Sequence, residues 1–178
     1  MAIEFEAKVL EIDPTEISER ILKSGGEKVG EFLMRRYVYE VTPGDRSKWI
    51  RLRDTGKEIT LAIKEIHHDG IGGTEEIEIT VNSFEDADRF LGKLGYHPKG
   101  YQENRRTSFL LSGTQLEIDE WPRIPPYLEI EGRSKEHVIQ VALQLGLKEK
   151  QLTGESTIKT LARYGMGLDS LKDLRFEK

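Results

Sequence analysis

The 178-residue sequence predicts an α+β fold, with antiparallel strands that can curl into a closed barrel and helices packed outside it. Three observations predict it. Apolar and charged residues alternate with period two in many short stretches, as in strands with one apolar and one charged face. The order β-α-β-β-β runs twice, at an offset of about 70 residues, which implies two halves related by a pseudo-twofold. The charges also come as i, i+2 pairs of one sign, and the sign changes between strands.

The first strand, IEFEAK, places Glu4, Glu6 and Lys8 on one face and Ile3, Phe5, Ala7 and Val9 on the other. A helix follows in IDPTEISERILKSGG. Asp13 is its N-cap, Pro14 suits the first helical position, and Gly25 or Gly26 closes it. Ile17, Ile21 and Leu22 form its apolar face. RRYVYEV, WIRLRD and EITLAIKE read as strands, the last two joined by a turn at DTGK. HHDGIGGT reads as a Gly-rich mobile loop.

The plan then restarts. EEIEITV is a strand, and SFEDADRFLGKLG is a helix capped by Ser83, with Phe84, Ala87, Leu91 and Leu94 as a buried stripe. NRRTSFLL, TQLEID and PYLEIEG are strands. The halves align in pattern more than identity: Glu6 falls on Glu76, Lys8 on Glu78, Asp13 on Ser83, and Arg35-Arg36 on Arg105-Arg106. One domain covers 1–178, with half-repeats at about 1–70 and 71–133 and C-terminal helices in 134–178. The first of those helices is capped by Ser134, and the second runs through STIKTLARYG.

Composition narrows the function. The net charge is −5 with both signs mixed throughout, so the surface does not advertise nucleic-acid binding. There is no cysteine, which excludes disulfides, thiolate zinc sites and cysteine nucleophiles. No apolar run approaches the roughly 20 residues of a membrane span, and no signal-peptide pattern opens the chain, so the expected location is the cytoplasm. No P-loop, Rossmann turn or nucleophilic triad is present.

The charged faces carry the chemistry. Arg51 and Arg53 share a face, as do Thr60, Ala62 and Lys64; Glu76 and Glu78; Asn104 and Arg106; Glu117 and Asp119; Glu129 and Glu131. Any one strand could belong to an ordinary solvated sheet face. If the sheet closes, these faces line a channel. Buried carboxylate pairs need a cation between them. Oxygen-only ligands suit Mg2+ or Mn2+, and arginine forks suit phosphate oxygens. Together they describe a metal–polyphosphate site.

These motifs resemble the CYTH superfamily, the triphosphate tunnel metalloenzymes that include class IV adenylyl cyclases and thiamine triphosphatases. EFEAK fits the family's ExExK strand. RLR (Arg51, Arg53), Lys64, EIE (Glu76, Glu78), Arg106, Asp119 and the last EIE (Glu129, Glu131) follow in the family's order. The resemblance implies an eight-stranded antiparallel tunnel. In it Lys8, Arg51, Arg53, Lys64 and Arg106 bind the triphosphate. Glu4, Glu6, Glu129 and Glu131, with Glu76 or Glu78, hold metal, and Glu4, Glu6 and Asp119 act in catalysis. Homodimers are common in such barrels.

Some residues depart from the family pattern. Asn104 stands where a lysine is expected, and Glu155 stands where many relatives carry a basic residue. No His-Phe extension precedes the first strand, as it does in some class IV cyclases, which weighs against cyclase activity. The first expectation is therefore a metal-dependent triphosphatase acting on inorganic, thiamine or nucleoside triphosphate. The alternatives are an adenylyl cyclase forming cyclic AMP and a non-catalytic polyphosphate or nucleotide binder. His67, His68 and Asp69 read as part of a solvated lid, and Trp49 and Trp121 as packing or rim residues. Arg35 or Arg36 could reach the tunnel mouth or lie on the surface, and Lys159 could cap the tunnel or be solvated.

Overall fold

The computed structural model describes residues 2–167 and 171–177. The elements run β1 (Ala2–Val9), α1 (Pro14–Lys23), β2 (Glu27–Glu40), β3 (Lys48–Asp54), β4 (Ile59–Ile66), β5 (Thr74–Val81), α2 (Phe84–Lys93), β6 (Gly100–Leu111), β7 (Thr114–Glu120), β8 (Tyr127–Gly132) and α3 (Lys135–Gln144). Short β9 (Leu152–Thr153), α4 (Thr157–Arg163) and short β10 (Asp173–Leu174) complete the order. The β-α-β-β-β order therefore occurs twice, over β1–β4 and β5–β8.

Hydrogen bonding joins eight strands in the order β6-β2-β3-β4-β5-β1-β8-β7, and β7 pairs back to β6. The sheet is a closed antiparallel barrel. β1 completes the ring by pairing Glu4 with Thr74 of β5 on one side and Glu6 with Glu131 of β8 on the other. Closure removes exposed sheet edges, and the pleat then sends alternate residues inward and outward.

The outward faces hold the apolar core. α1 and α3 bring Ile17, Ile21, Val138, Val141 and Leu145 onto Val9, Phe109, Leu116, Ile118, Leu128 and Ile130. α2 lays Phe84 and Leu91 over Tyr39, Ile50 and Leu52. Asp13, Ser83 and Ser134 cap their helices as the sequence indicates, and Ser156 caps α4; each accepts a bond from a first-turn amide. Gly25 follows α1 at φ +87°, a left-handed conformation that glycine adopts without a Cβ clash. A third cluster joins Leu161 of α4 to Trp121, Tyr127 and Leu174. It lies where β7 ends and β8 begins, at one mouth of the barrel.

Several expectations need correction. Leu22 is 51% exposed and Leu94 is 60% exposed, so neither joins its buried stripe. Leu22 sits about 100° around the helix from Ile21, and Leu94 is the cap beyond the last helical residue of α2. Ile77 and Ile79, on the outer face of β5, are 45% and 54% exposed, so that apolar face does not lie under a helix. β2 and β6 also begin earlier than the sequence indicates. Their pairing runs from Glu27–Leu110 to Val38–Gly100, with a bulge between Lys28 and Gly30. Glycine and charged residues in EKVGEFLM blur the alternation there.

Candidate active site

Inward-facing residues of all eight barrel strands surround one cavity of about 250 Å³. Its lining contains every site residue indicated by the sequence: Glu4, Glu6, Lys8, Arg51, Arg53, Lys64, Glu76, Glu78, Arg106, Asp119, Glu129 and Glu131. Strand parity explains the convergence, because each is at an inward position of a paired strand. Register sets the neighbours. Lys64 lies opposite Glu76, Arg106 opposite Asp119, and Lys8 opposite Glu129.

On the β3–β4–β5 wall, the Arg51 Nη2 donates to Glu76 at 2.9 Å and to Glu78 at 2.7 Å. The Lys64 Nζ donates to both oxygens of Glu4 at 2.9 and 2.8 Å. On the opposite wall, Arg106 binds Asp119 through two bonds of 2.8 and 2.7 Å. It also meets Glu117 at 2.6 Å and Glu129 at 3.6 Å. Asn104 donates to the same Asp119 at 3.1 Å. Lys8, 1% exposed, is bonded to Glu6.

The carboxylates outrun their partners. Glu6 faces Glu131 across β1–β8, and Glu117 faces Glu129 across β7–β8, pairings of like charge that destabilise a sheet. Burial, with a hydrogen bond to Glu76, pushes the Glu4 carboxyl up to about 7 against the pull of Lys64. Burial and the charge of Glu6 push Glu129 up to about 8. Burial also raises Glu117 and Glu131. Glu6 goes the other way: despite burial, Lys8 and Lys64 hold it well below the usual carboxylate range.

Among the described residues, no three His, Asp or Glu side chains are already arranged as a metal cage. The donor chemistry nevertheless fits a hard divalent cation. Glu4, Glu6, Glu129 and Glu131 supply oxygen only, and burial and mutual repulsion raise the proton affinity of Glu4, Glu129 and Glu131 in the way a missing positive charge would.

The cavity also contains residues the sequence left open or missed. Arg36 turns inward, its guanidinium 4.4 Å from the Trp121 ring and its Nε donating to Gln102 at 2.8 Å. Arg35 turns outward to Asp54 and Glu85. Register sets its direction: Arg36 pairs directly with inward-facing Arg53. Trp49 lines the cavity, as does Trp121, whose Nε1 donates to the Tyr127 hydroxyl at 2.9 Å. Beside the cavity, Glu117, on the strand face of Asp119 as the sequence indicates, holds Arg106. Outside the cavity, His67 meets Glu75, and Lys159 of α4 binds Asp69 at 2.6 Å. Glu155 is taken up by Arg163 at 2.8 and 2.9 Å, while the next three residues, Ser156, Thr157 and Ile158, line the cavity.

The CYTH domain model matches residues 2–164. The chain belongs to the CYTH family. Among solved structures, this CYTH chain is similar to a conserved hypothetical protein from Pyrococcus furiosus, at 26% identity and a TM-score of 0.75, with 88% of this chain and 98% of the other covered. It is also similar to the PH1012 protein from Pyrococcus horikoshii OT3, at 23% identity, TM-score 0.75 and the same coverage. A third similar structure is a protein from Hippeastrum, provisionally named an adenylyl cyclase and described as having a dominant triphosphatase activity. It is 17% identical with a TM-score of 0.59, covering 93% of this chain and 99% of that one. Among curated protein sequences, none matches the chain. No helix among the described residues is long and apolar enough to cross a membrane.

Proposed function

We propose that this CYTH protein is a divalent-metal-dependent triphosphatase. The observation that carries the reading is the convergence, in one closed barrel, of a basic lining with carboxylates that outnumber it. Lys8, Arg51, Arg53, Lys64 and Arg106 grip the phosphate oxygens. Their carboxylate partners fix each cation in place before substrate arrives, so little reorganisation is needed. Glu4, Glu6, Glu129 and Glu131 hold Mg2+ or Mn2+, and Glu76 and Glu78 are further donors that also orient Arg51 and Arg53. When bound, the metal supplies charge neutralisation at the phosphate oxygens.

The chain's own groups carry the proton chemistry. Glu4, in this carboxylate cluster, takes a proton from the attacking water. The water oxygen bonds to the terminal phosphorus, and the bridging P–O bond breaks toward the remaining diphosphate. Arg106, aligned by Asp119, neutralises negative charge on that leaving group. The candidates are inorganic, thiamine and nucleoside triphosphates.

The test is orthophosphate release from each of the three, with Mg2+, with Mn2+ and with EDTA. Metal-dependent release supports the reading. Cyclic AMP and pyrophosphate from ATP would replace it with a cyclase, and binding without turnover would leave a polyphosphate binder.

A further inference from the structure

Most cations of the tunnel are already matched by carboxylates. Arg51 has Glu76 and Glu78, Lys64 has Glu4, Lys8 has Glu6, and Arg106 has Asp119 and Glu117. Arg36 is different. Its Nε is held by Gln102, whose own Nε2 donates to the Leu171 carbonyl at 3.4 Å. Its guanidinium carbon lies over the Trp121 ring, 4.4 Å from the centroid, and Trp121 is itself anchored on Tyr127. Among the described residues, no carboxylate pairs with it. Burial, with the positive charges of Arg51 and Arg53, lowers its proton affinity to about 10, against the weaker pull of Tyr127 and Asp119.

Arg53 is only loosely matched. It sits directly opposite Arg36 across β2–β3, reaches Glu78 only at 3.4 Å, and keeps a buried Nε without a hydrogen bond. Two guanidiniums in cross-strand register repel each other, and an enclosed charge without a partner is unfavourable. An arrangement that leaves Arg36 without a carboxylate and Arg53 with one long contact is complementary to an anion with several oxygens.

We infer that Arg36 and Arg53 form a phosphoryl subsite beside Trp121, and that Arg36 supplies a positive charge that its neighbour Asn104 does not. Met34 pairs with Asn104 and Arg36 with Gln102, so side chains at 36 and 104 enter the cavity from adjacent rungs of β2 and β6. A cation at either position reaches the same region. The inference rests on the triphosphatase reading and names which residues of that site bind a phosphoryl group.

The test measures binding of a non-hydrolysable imido analogue of inorganic triphosphate in Mg2+, alongside KM and kcat for inorganic triphosphate itself. Arg36→Gln is expected to weaken binding about tenfold or more and to reduce its salt dependence, with KM moving more than kcat. Arg36→Lys, which keeps the charge and loses the fork, is expected to fall between the two. Adding Asn104→Lys to Arg36→Gln is expected to recover most of the loss. Unchanged affinity in Arg36→Gln overturns the subsite. So does a loss that Asn104→Lys leaves untouched, because Arg36 would then act through packing on Trp121. If the wild-type protein binds no analogue, the parent reading falls together with this one; if it binds and turns over while Arg36→Gln behaves identically, only the subsite falls.

Discussion

The crowded tunnel carboxylates make an unusual demand on pH. Glu4 rises from an ordinary 4.5 to about 7 and Glu129 from 4.5 to about 8 on folding. A raised carboxyl is protonated more readily in the native state than in the unfolded one. Its contribution is therefore fully present below about pH 4.5 and is lost as pH climbs through the folded value. For Glu4 alone, at roughly 1.4 kcal/mol per tenfold change in proton affinity, the loss is about 3 kcal/mol. Glu6 does not cancel it, because its lowered value places its own titration below this window. The assay is urea denaturation in EDTA between about pH 5 and pH 8. The metal-free protein should lose at least about 3 kcal/mol over that range, and Glu4→Gln should flatten the slope. Adding Mg2+ with the imido analogue should restore stability at the alkaline end by occupying the carboxylates. A metal-free stability that is level or rises with pH would refute the reasoning.

Other outcomes follow from the same geometry. Glu4→Gln or Glu6→Gln should abolish metal-dependent phosphate release while leaving a folded protein by circular dichroism. Asp119→Asn removes the bidentate partner of Arg106; because Glu117 and Glu129 remain nearby, the loss in urea stability should sit near about 3 kcal/mol, at the low end for breaking a buried pair. Asp69→Ala breaks a half-exposed pair with Lys159 and should change stability by less than about 1 kcal/mol. Gly154→Ala would place a Cβ 2.6 Å from the backbone of Gly70, and thermal melting should show a loss of about 1–3 kcal/mol from overpacking.

Much of this was legible in the sequence because a strand's period is two. In EFEAK, WIRLRD and YLEIEG each charged residue was assigned to a face by counting alone, and closure of the barrel turned those faces into one cavity. The helix caps were legible for a similarly local reason: Asp13, Ser83 and Ser134 each act on an amide three residues ahead. What failed depended on distant partners. The N-terminal stretch of β2 is a strand because distant β6 pairs with it, from Glu27–Leu110 to Met34–Asn104, not because EKVGEFLM alternates. Arg36 could be read either way until that register set its parity. The exposure of Ile77 and Ile79 reflects where the helices pack, which periodicity within β5 does not encode.

The most direct test of the central claim is phosphorus NMR of the purified protein with inorganic triphosphate in Mg2+. The account predicts that the triphosphate resonances decay into orthophosphate and pyrophosphate, and that EDTA stops the decay. Triphosphate resonances that persist with no product, whether shifted or not, would contradict it.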